Sequence, residues 1–458
     1  MRLLNTWQGR IGRYAPLVLL FLIPAPSAAQ ESAPHPDRNA RPVLSLSLKE
    51  AVALALAPEG NVRVRLAEQH LRQAHAHRNE VRAALLPHTE VSLGQQSRTL
   101  NLEALGIRIP IPGFRPFVGP FTTFDLRATA TQTLFDLGLM RRLQAATASV
   151  NAARTDLERV RDQVAGQVAR LYLAALRAEA AVATARANVA LAEALLKLAQ
   201  DQKAAGTGIG IEVTRAQVQL MNERQRLLIA ENERRRAHLE LLKALGLELD
   251  TELRLTDMLS YAPLPIPTVE EALAIAWRSR ADYAAQRERE EAAQLAYSAA
   301  KWERLPSLMG FADYGTIGSS AAHTVPTRTY GVVLRLPLFD GGRREARRAD
   351  AHAAWMQEHA RTEDLRQQIE LEVRTALDGL RSAEEQIRVA EEGMKLAERE
   401  LQQARHRYEA GVTTSLEVTD AQTRLERARE NYLAALYAYN LARLDLTLAM
   451  GTIRQLLR

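Results

Sequence analysis

Apolar residues recur along the second half of the chain at a spacing that alternates between four and three. They fall at Ile369, Val373, Ala376, Leu380, Ala383, Ile387, Ala390, Met394, Ala397, Leu401, Ala404 and Tyr408, with polar and charged residues between them. A seven-residue apolar repeat held for this long specifies a left-handed coiled-coil seam, narrower than the stripe of an ordinary surface helix. After a break at Gly411-Val412-Thr413-Thr414 the spacing resumes at Val418 and runs through Ala421, Leu425, Ala428, Tyr432, Ala435, Tyr439 and Ala442 to Leu446. Two such helices joined by a tight turn predict an antiparallel hairpin with a shallow crossing angle. Alanine at alternate seam positions lets the two backbones approach closely.

The pattern occurs twice. The same spacing links Val164, Val168, Leu171, Ala175, Ala178, Val182, Ala185, Val189, Ala192, Leu196 and Ala199. Ala205-Gly206 answers Ala410-Gly411, Glu212-Val213-Thr214 answers Glu417-Val418-Thr419, and Leu245-Gly246 answers Met450-Gly451. Upstream, Ser47 with Glu50 and Thr268 with Glu271 each form a capping box opening an amphipathic helix. Leu86-Pro87 answers Leu305-Pro306, and Leu134-Phe135-Asp136 answers Leu338-Phe339-Asp340. The chain therefore divides into a first repeat over 46–255, a linker over 256–267 and a second repeat over 268–458. Helices are expected over 48–85 and 268–303, and the long helices after each Phe-Asp stop would run for roughly 100 Å at 1.5 Å per residue.

Between each Leu-Pro and Phe-Asp stop the period changes from helical to two. Strands are expected at about 86–98, 124–136, 305–316 and 327–340. Phe124, Leu126, Ala128 and Ala130 alternate with Asp125, Arg127, Thr129 and Thr131. Tyr330, Val332, Leu334 and Leu336 alternate with Gly331, Val333, Arg335 and Pro337. The connection over 99–123, with Pro110, Pro112, Pro116 and Pro120, reads as a long loop, and that over 317–326 as a shorter one. Alternation alone fits a small soluble sheet packed on the helices, or tilted strands of an outer-membrane barrel. Four strands cannot close a barrel, and lipid does not tolerate an open edge, so the second reading requires several chains to share one barrel.

Composition narrows the classes. Ala, Leu, Glu, Arg and Gln dominate, and aromatics are 5% of 458 residues, the profile of long helices and coiled coil. Residues 1–29 read as a secretory signal: Arg2, Arg10 and Arg13 precede an apolar run over 15–22 and a small-residue cleavage site at Ser27-Ala28-Ala29. Residues 30–45 read as a disordered, Pro-rich lead-in. The formal charge of +6 loses three arginines with the leader, and the remaining cations are interspersed with glutamate, which argues against a nucleic-acid partner. No cysteine is present, hence no disulfide framework, thiol catalyst or cysteine-borne lipid anchor. No phosphate loop, His-Glu-x-x-His or nucleophile elbow occurs, so no enzyme and no cofactor are expected. His70, His75 and His77 share a helix, but the i, i+7 pair is too widely spaced for one ion, and no metal site is assigned there.

The ordered set of the leader, the Leu48-Lys49-Glu50-Ala51-Val52 opening, Leu-Pro before each first strand, Leu338-Phe339-Asp340-Gly341-Gly342, and Arg407-Tyr408-Glu409-Ala410-Gly411 followed by Glu417-Val418-Thr419-Asp420-Ala421-Gln422 resembles the outer-membrane efflux protein family, the TolC-like channels. The resemblance covers 46–451 in both repeats. It implies a mainly α fold with a β-barrel part: a homotrimer whose subunits each give four strands to a twelve-stranded barrel in outer-membrane lipid and their hairpins to a periplasmic tunnel. The implied function is the exit duct of a tripartite efflux or type I secretion system in a Gram-negative bacterium, docked to a periplasmic adaptor and an inner-membrane pump of the RND or ABC class. By the same resemblance the hairpin tips at Gly206 and Gly411, with Tyr408 and Thr413 beside them, close the inner end. Glu417 and Asp420 stand where the acidic entrance ring lies, with Glu212 the first-repeat counterpart. Thr413 stands where some members carry a basic latch residue. The alternative is a periplasmic coiled-coil adaptor or structural protein, which needs one hairpin flanked by a compact β module.

Overall fold

The structure, a computed structural model, describes residues 43–456 apart from 58–59, 114, 207 and 264; the leader and most of the lead-in lie outside the described residues. Each repeat begins with a short helix whose capping box is formed as the sequence predicts. Ser47 and Glu50 open α1 (Leu48–Leu56), and Thr268 and Glu271 open α5 (Val269–Ser279). The helices expected over 48–85 and 268–303 are each broken. The chain restarts as α2 (Val62–Ala83) behind the Asn61 cap, and as α6 (Ala281–Trp302) after Arg280, whose extended backbone (ψ 118) ends α5. Both break residues hold the carbonyl at the end of the neighbouring return helix: Asn61 Nδ2 donates to Ala244 O at 3.0 Å, and Arg280 Nη1 to Ala449 O at 3.3 Å. The two repeats thus fill one structural role with different chemistry.

Four strands form one antiparallel sheet in the order β2 (His88–Asn101), β3 (Phe117–Phe135), β5 (Ser307–Ser320), β6 (His323–Arg335). They run further than the proline content of their connections suggests. β3 starts at Phe117, inside the segment expected to be loop. Pro120 is accommodated because the pairing shifts register between Arg98 and Leu100 opposite it, a bulge that needs no N–H there. Pro326 is tolerated because β6 is an edge strand, and the β5–β6 turn shrinks to 321–322.

Register sorts the sheet into two faces. Leu93 pairs with Leu126, Val91 with Ala128 and then Tyr314, and Ala130 with Ala312 and then Tyr330. Val91, Leu93, Tyr314, Tyr330, Val332 and Leu334 are all exposed on this apolar side. The opposite side carries Arg127, bonded to Asp313 at 2.7 Å and to Asp125 at 3.3 Å, among Thr123, Thr129, Thr131 and Ser92. Both edges, β2 and β6, are unpaired in the single chain.

Each Phe-Asp stop starts a long helix. Asp136 Oδ1 caps α3 (Leu137–Ala204) by accepting from Leu139 N at 2.8 Å. Asp340 accepts from the backbone and side chain of Arg344 at the start of α7 (Arg343–Glu409). At 68 residues α3 rises about 100 Å, which carries the hairpin turns that far from the sheet. α4 (Gly210–Leu245) and α8 (Ser415–Ala449) return only halfway. The rest of each hairpin partner is supplied by α2 and α6, which pack on α3, with α6 also against α7. In α7 the seam is buried or half-buried at every expected position, and Leu377 joins it. α3 also buries a second stripe, including Ala165, Gly166, Ala169, Tyr172 and Leu176, because other helices surround its middle.

One feature was not expected. Val43–Leu46 (β1), counted in part with the disordered lead-in, pairs in parallel with Glu252–Leu255 (β4). Leu46 and Leu253 reach the core that buries Tyr172, whose hydroxyl donates to Leu46 O or Asp257 Oδ2, both at 2.9 Å. This pair ties the start of the first repeat to its end. A short helix, α9 (Ile453–Leu456), closes the described chain, and Arg454 pairs with Glu158 and Asp162 of α3.

Candidate functional site

At both hairpin tips the turn is built on a glycine with positive φ, Gly206 at 77° and Gly411 at 71°, a conformation that costs other residues 1–2 kcal/mol or so. The returning N–H groups close on the helix ends: Gly208 N donates to Gln202 O at 3.0 Å, and Val412 N to Arg407 O at 2.9 Å. The second is a Schellman closure and the first reaches one residue further along the chain; both fix where the first turns of α4 and α8 begin. Glu212 and Glu417 therefore occupy equivalent first-turn positions.

Tyr408, 6% exposed, belongs to the α7–α8 core with Leu401, Ala404, Val418 and Leu425. Its hydroxyl reaches out of that core to Glu212 Oε2 at 3.4 Å, joining the second hairpin to the first. Burial, and then the Glu212 charge, raise the phenol above its ordinary value, so it stays a donor. The two residues the sequence places at separate tips are thus brought together.

Glu417 and Asp420 differ in their surroundings. Glu417 Oε1 accepts from Arg407 Nη1 at 2.6 Å, and its other oxygen accepts from the Thr413 hydroxyl. Thr413 thus bonds Glu417, and Arg407 is the cation beside it. Asp420, three residues on, is exposed and has no hydrogen bond or ion pair among the described residues. The expected acidic pair is, within one chain, one neutralised carboxylate and one free one. Arg407 was legible in the Arg-Tyr-Glu-Ala-Gly motif; its role was not, because sequence does not say which way a helix-end arginine folds back.

Behind the tips, a cavity of about 30 Å³ lies between α3, α4, α7 and α8, room for about one water. Glu212, Arg215, Gln219, Tyr408, Ser415 and Gln422 line it. Gln422 is 1% exposed and neither of its polar atoms is bonded. Among the described residues no three His, Asp or Glu side chains are grouped to hold a metal, and His77 meets only Glu80, at 3.3 Å. No described helix is long and apolar enough to cross a membrane.

Comparison with known proteins matches this arrangement. A family model described as outer membrane efflux protein matches residues 53–247 and 273–452, one segment in each repeat. The pyoverdine export outer membrane protein OpmQ of Pseudomonas putida is 25% identical over 315 residues, 68% of this chain and 66% of the relative, so the match spans just under two thirds of that protein. The outer-membrane channel OprN has the same fold, with a TM-score of 0.75 at 21% identity over 88% of this chain and 90% of its own. The Campylobacter jejuni CmeC outer membrane channel superposes with a TM-score of 0.77 at 18% identity, over 88% and 85%.

Proposed function

The chain belongs to the outer membrane efflux protein family, and from that premise we propose that it is the outer-membrane duct of a tripartite export system. Three copies join their sheets edge to edge into one barrel and their hairpins into one tunnel. The observation that carries this reading is the sheet: four strands, an apolar face, an Arg-Asp-lined polar face, and two unpaired edges. In lipid such a sheet is viable only when the edges close on other chains, with apolar residues outward and polar ones lining water.

Transport through the duct is passive. Diameter and the charge at the narrowest ring set what passes, and no catalytic group is needed. The Tyr408–Glu212 contact fastens the hairpins in the closed arrangement, and Asp420 is the acid left free to meet its symmetry mates at the entrance. A periplasmic adaptor and an inner-membrane pump are the partners this role requires. Pyoverdine export by the Pseudomonas putida relative favours small-molecule efflux over protein secretion. A periplasmic adaptor is disfavoured, since each of two hairpins follows its own strand pair and the four strands form one sheet, where an adaptor has a single hairpin flanked by a compact module.

Reconstitution into planar bilayers tests the proposal. Discrete, ohmic conductance steps from the purified full-length protein, with the protein recovered in outer-membrane fractions, are expected. A protein that fractionates with the periplasm and gives no steps overturns it.

A further inference from the structure

About three helical turns up from the tips, the contact between α4 and α8 buries an unusual set of charges. Glu223 is completely buried and Glu426 is 3% exposed. One nitrogen serves both: Arg226 Nη1 lies 3.0 Å from Glu223 Oε1 and 2.5 Å from Glu426 Oε2. Gln219 Nε2 adds a bond to Glu223 Oε1 at 3.0 Å. The second oxygens, Glu223 Oε2 and Glu426 Oε1, have no partner, and the amide of Gln422, one turn before Glu426, has none either.

Two buried carboxylates against one guanidinium leave a surplus negative charge and two unbonded oxygens. Both faults are removed together by one proton, which neutralises the surplus and turns an acceptor into a donor. We infer that Glu223 and Glu426 form a proton-binding site, sharing a single proton that fastens the first hairpin to the second across the α4–α8 contact. Of the neighbouring charges, Glu430 adds negative charge from α8, Arg429 is engaged by Asn188 and Glu398, and Arg224 by Glu193. From α3 this region receives the apolar Leu191 and Leu195. Burial, then the Glu426 charge, holds the Glu223 carboxyl above its ordinary value, in keeping with this geometry.

The sign follows from linkage. The folded, fastened state binds the proton more tightly than the separated one, so the fastening is fully present at acid pH. It is lost as pH rises through the raised value. Its consequence for opening rests on the duct reading; the proton site itself does not.

The test is infrared difference spectroscopy of the intact full-length protein across pH, with conductance of the same preparation. Glu223→Gln and Glu426→Gln each leave one carboxylate facing one guanidinium, the charge state of the protonated site. The wild type minus either variant should show the carbonyl band of a protonated carboxyl that disappears on raising pH. Both variants should keep the closed state to a higher pH than wild type does. A carboxyl band that survives in either single variant, or an open probability with the same pH dependence in all three proteins, overturns the proposal. The infrared arm needs no conduction, so failure of the duct reading leaves it readable.

Discussion

Tyr408→Phe removes one hydroxyl and nothing else from the tip. The ring remains in the core of α7 and α8, where it is 6% exposed, so no cavity is made. What is lost is the bond to Glu212 Oε2, at 3.4 Å near the long limit of a hydrogen bond. Its length argues for the low end of the range, about 0.5–1 kcal/mol for each subunit. Three subunits that open together would lose about 1.5–3 kcal/mol, a shift of roughly ten- to a hundredfold towards the open state. Because the phenol is held above its ordinary value, the effect should not vary with pH over the neutral range. Single-channel recording of the variant measures it, with Tyr432→Phe, in the seam above the tip, as control. An unchanged open probability in an intact assembly, or an equal rise in the control, refutes the reasoning.

Other consequences can be measured in the same protein. Asp420→Asn should weaken block by divalent cations in single-channel recordings several-fold more than Glu417→Gln, because Arg407 already neutralises Glu417 and nothing neutralises Asp420. Arg280→Ala should cost about 1–3 kcal/mol in denaturant unfolding, since it strands the half-buried Asp282, which the guanidinium holds at 2.6 Å, while Glu372, held at 2.5 Å, is exposed enough to be rehydrated. Burial alone would raise Asp282, but the Arg280 bonds outweigh it and hold the carboxyl below its ordinary value. Wild type should therefore lose that stability as pH falls through the ordinary aspartate range and below, so the gap between wild type and the alanine variant should narrow there. Leu377→Ala, at a fully buried seam position, should cost about 2–5 kcal/mol and lower the thermal midpoint without altering conductance.

The long helices and their turns were legible because a strict seven-residue repeat leaves one solution and the turn glycines leave one stopping place. The strands were legible as a period of two, and their faces as Asp125 and Arg127 against Leu126 and Tyr330. Strand lengths were not, since a bulge opposite Pro120 cannot be read from β3 alone. The parallel β1–β4 pair escaped notice because four-residue strands show no period and their partner is some 200 residues away. At the tips the residue types were legible and their pairing was not: Tyr408 and Glu212 lie 196 positions apart, and Arg407 could have faced solvent. Glu223 and Glu426 were hidden for the opposite reason. In a helix full of exposed glutamates, nothing local marks the two that the other repeat covers.

Whether three chains close one barrel is open to a direct measurement, helped by a sequence without cysteine. With one cysteine fixed at Thr329 on β6 and a second scanned along β2 around Ser92, mild oxidation of the membrane-embedded protein should link each chain to its neighbours. The account predicts dimers and then covalent trimers at one register, with no larger species. Chains that stay unlinked at every register, or a ladder that continues past three, would contradict it.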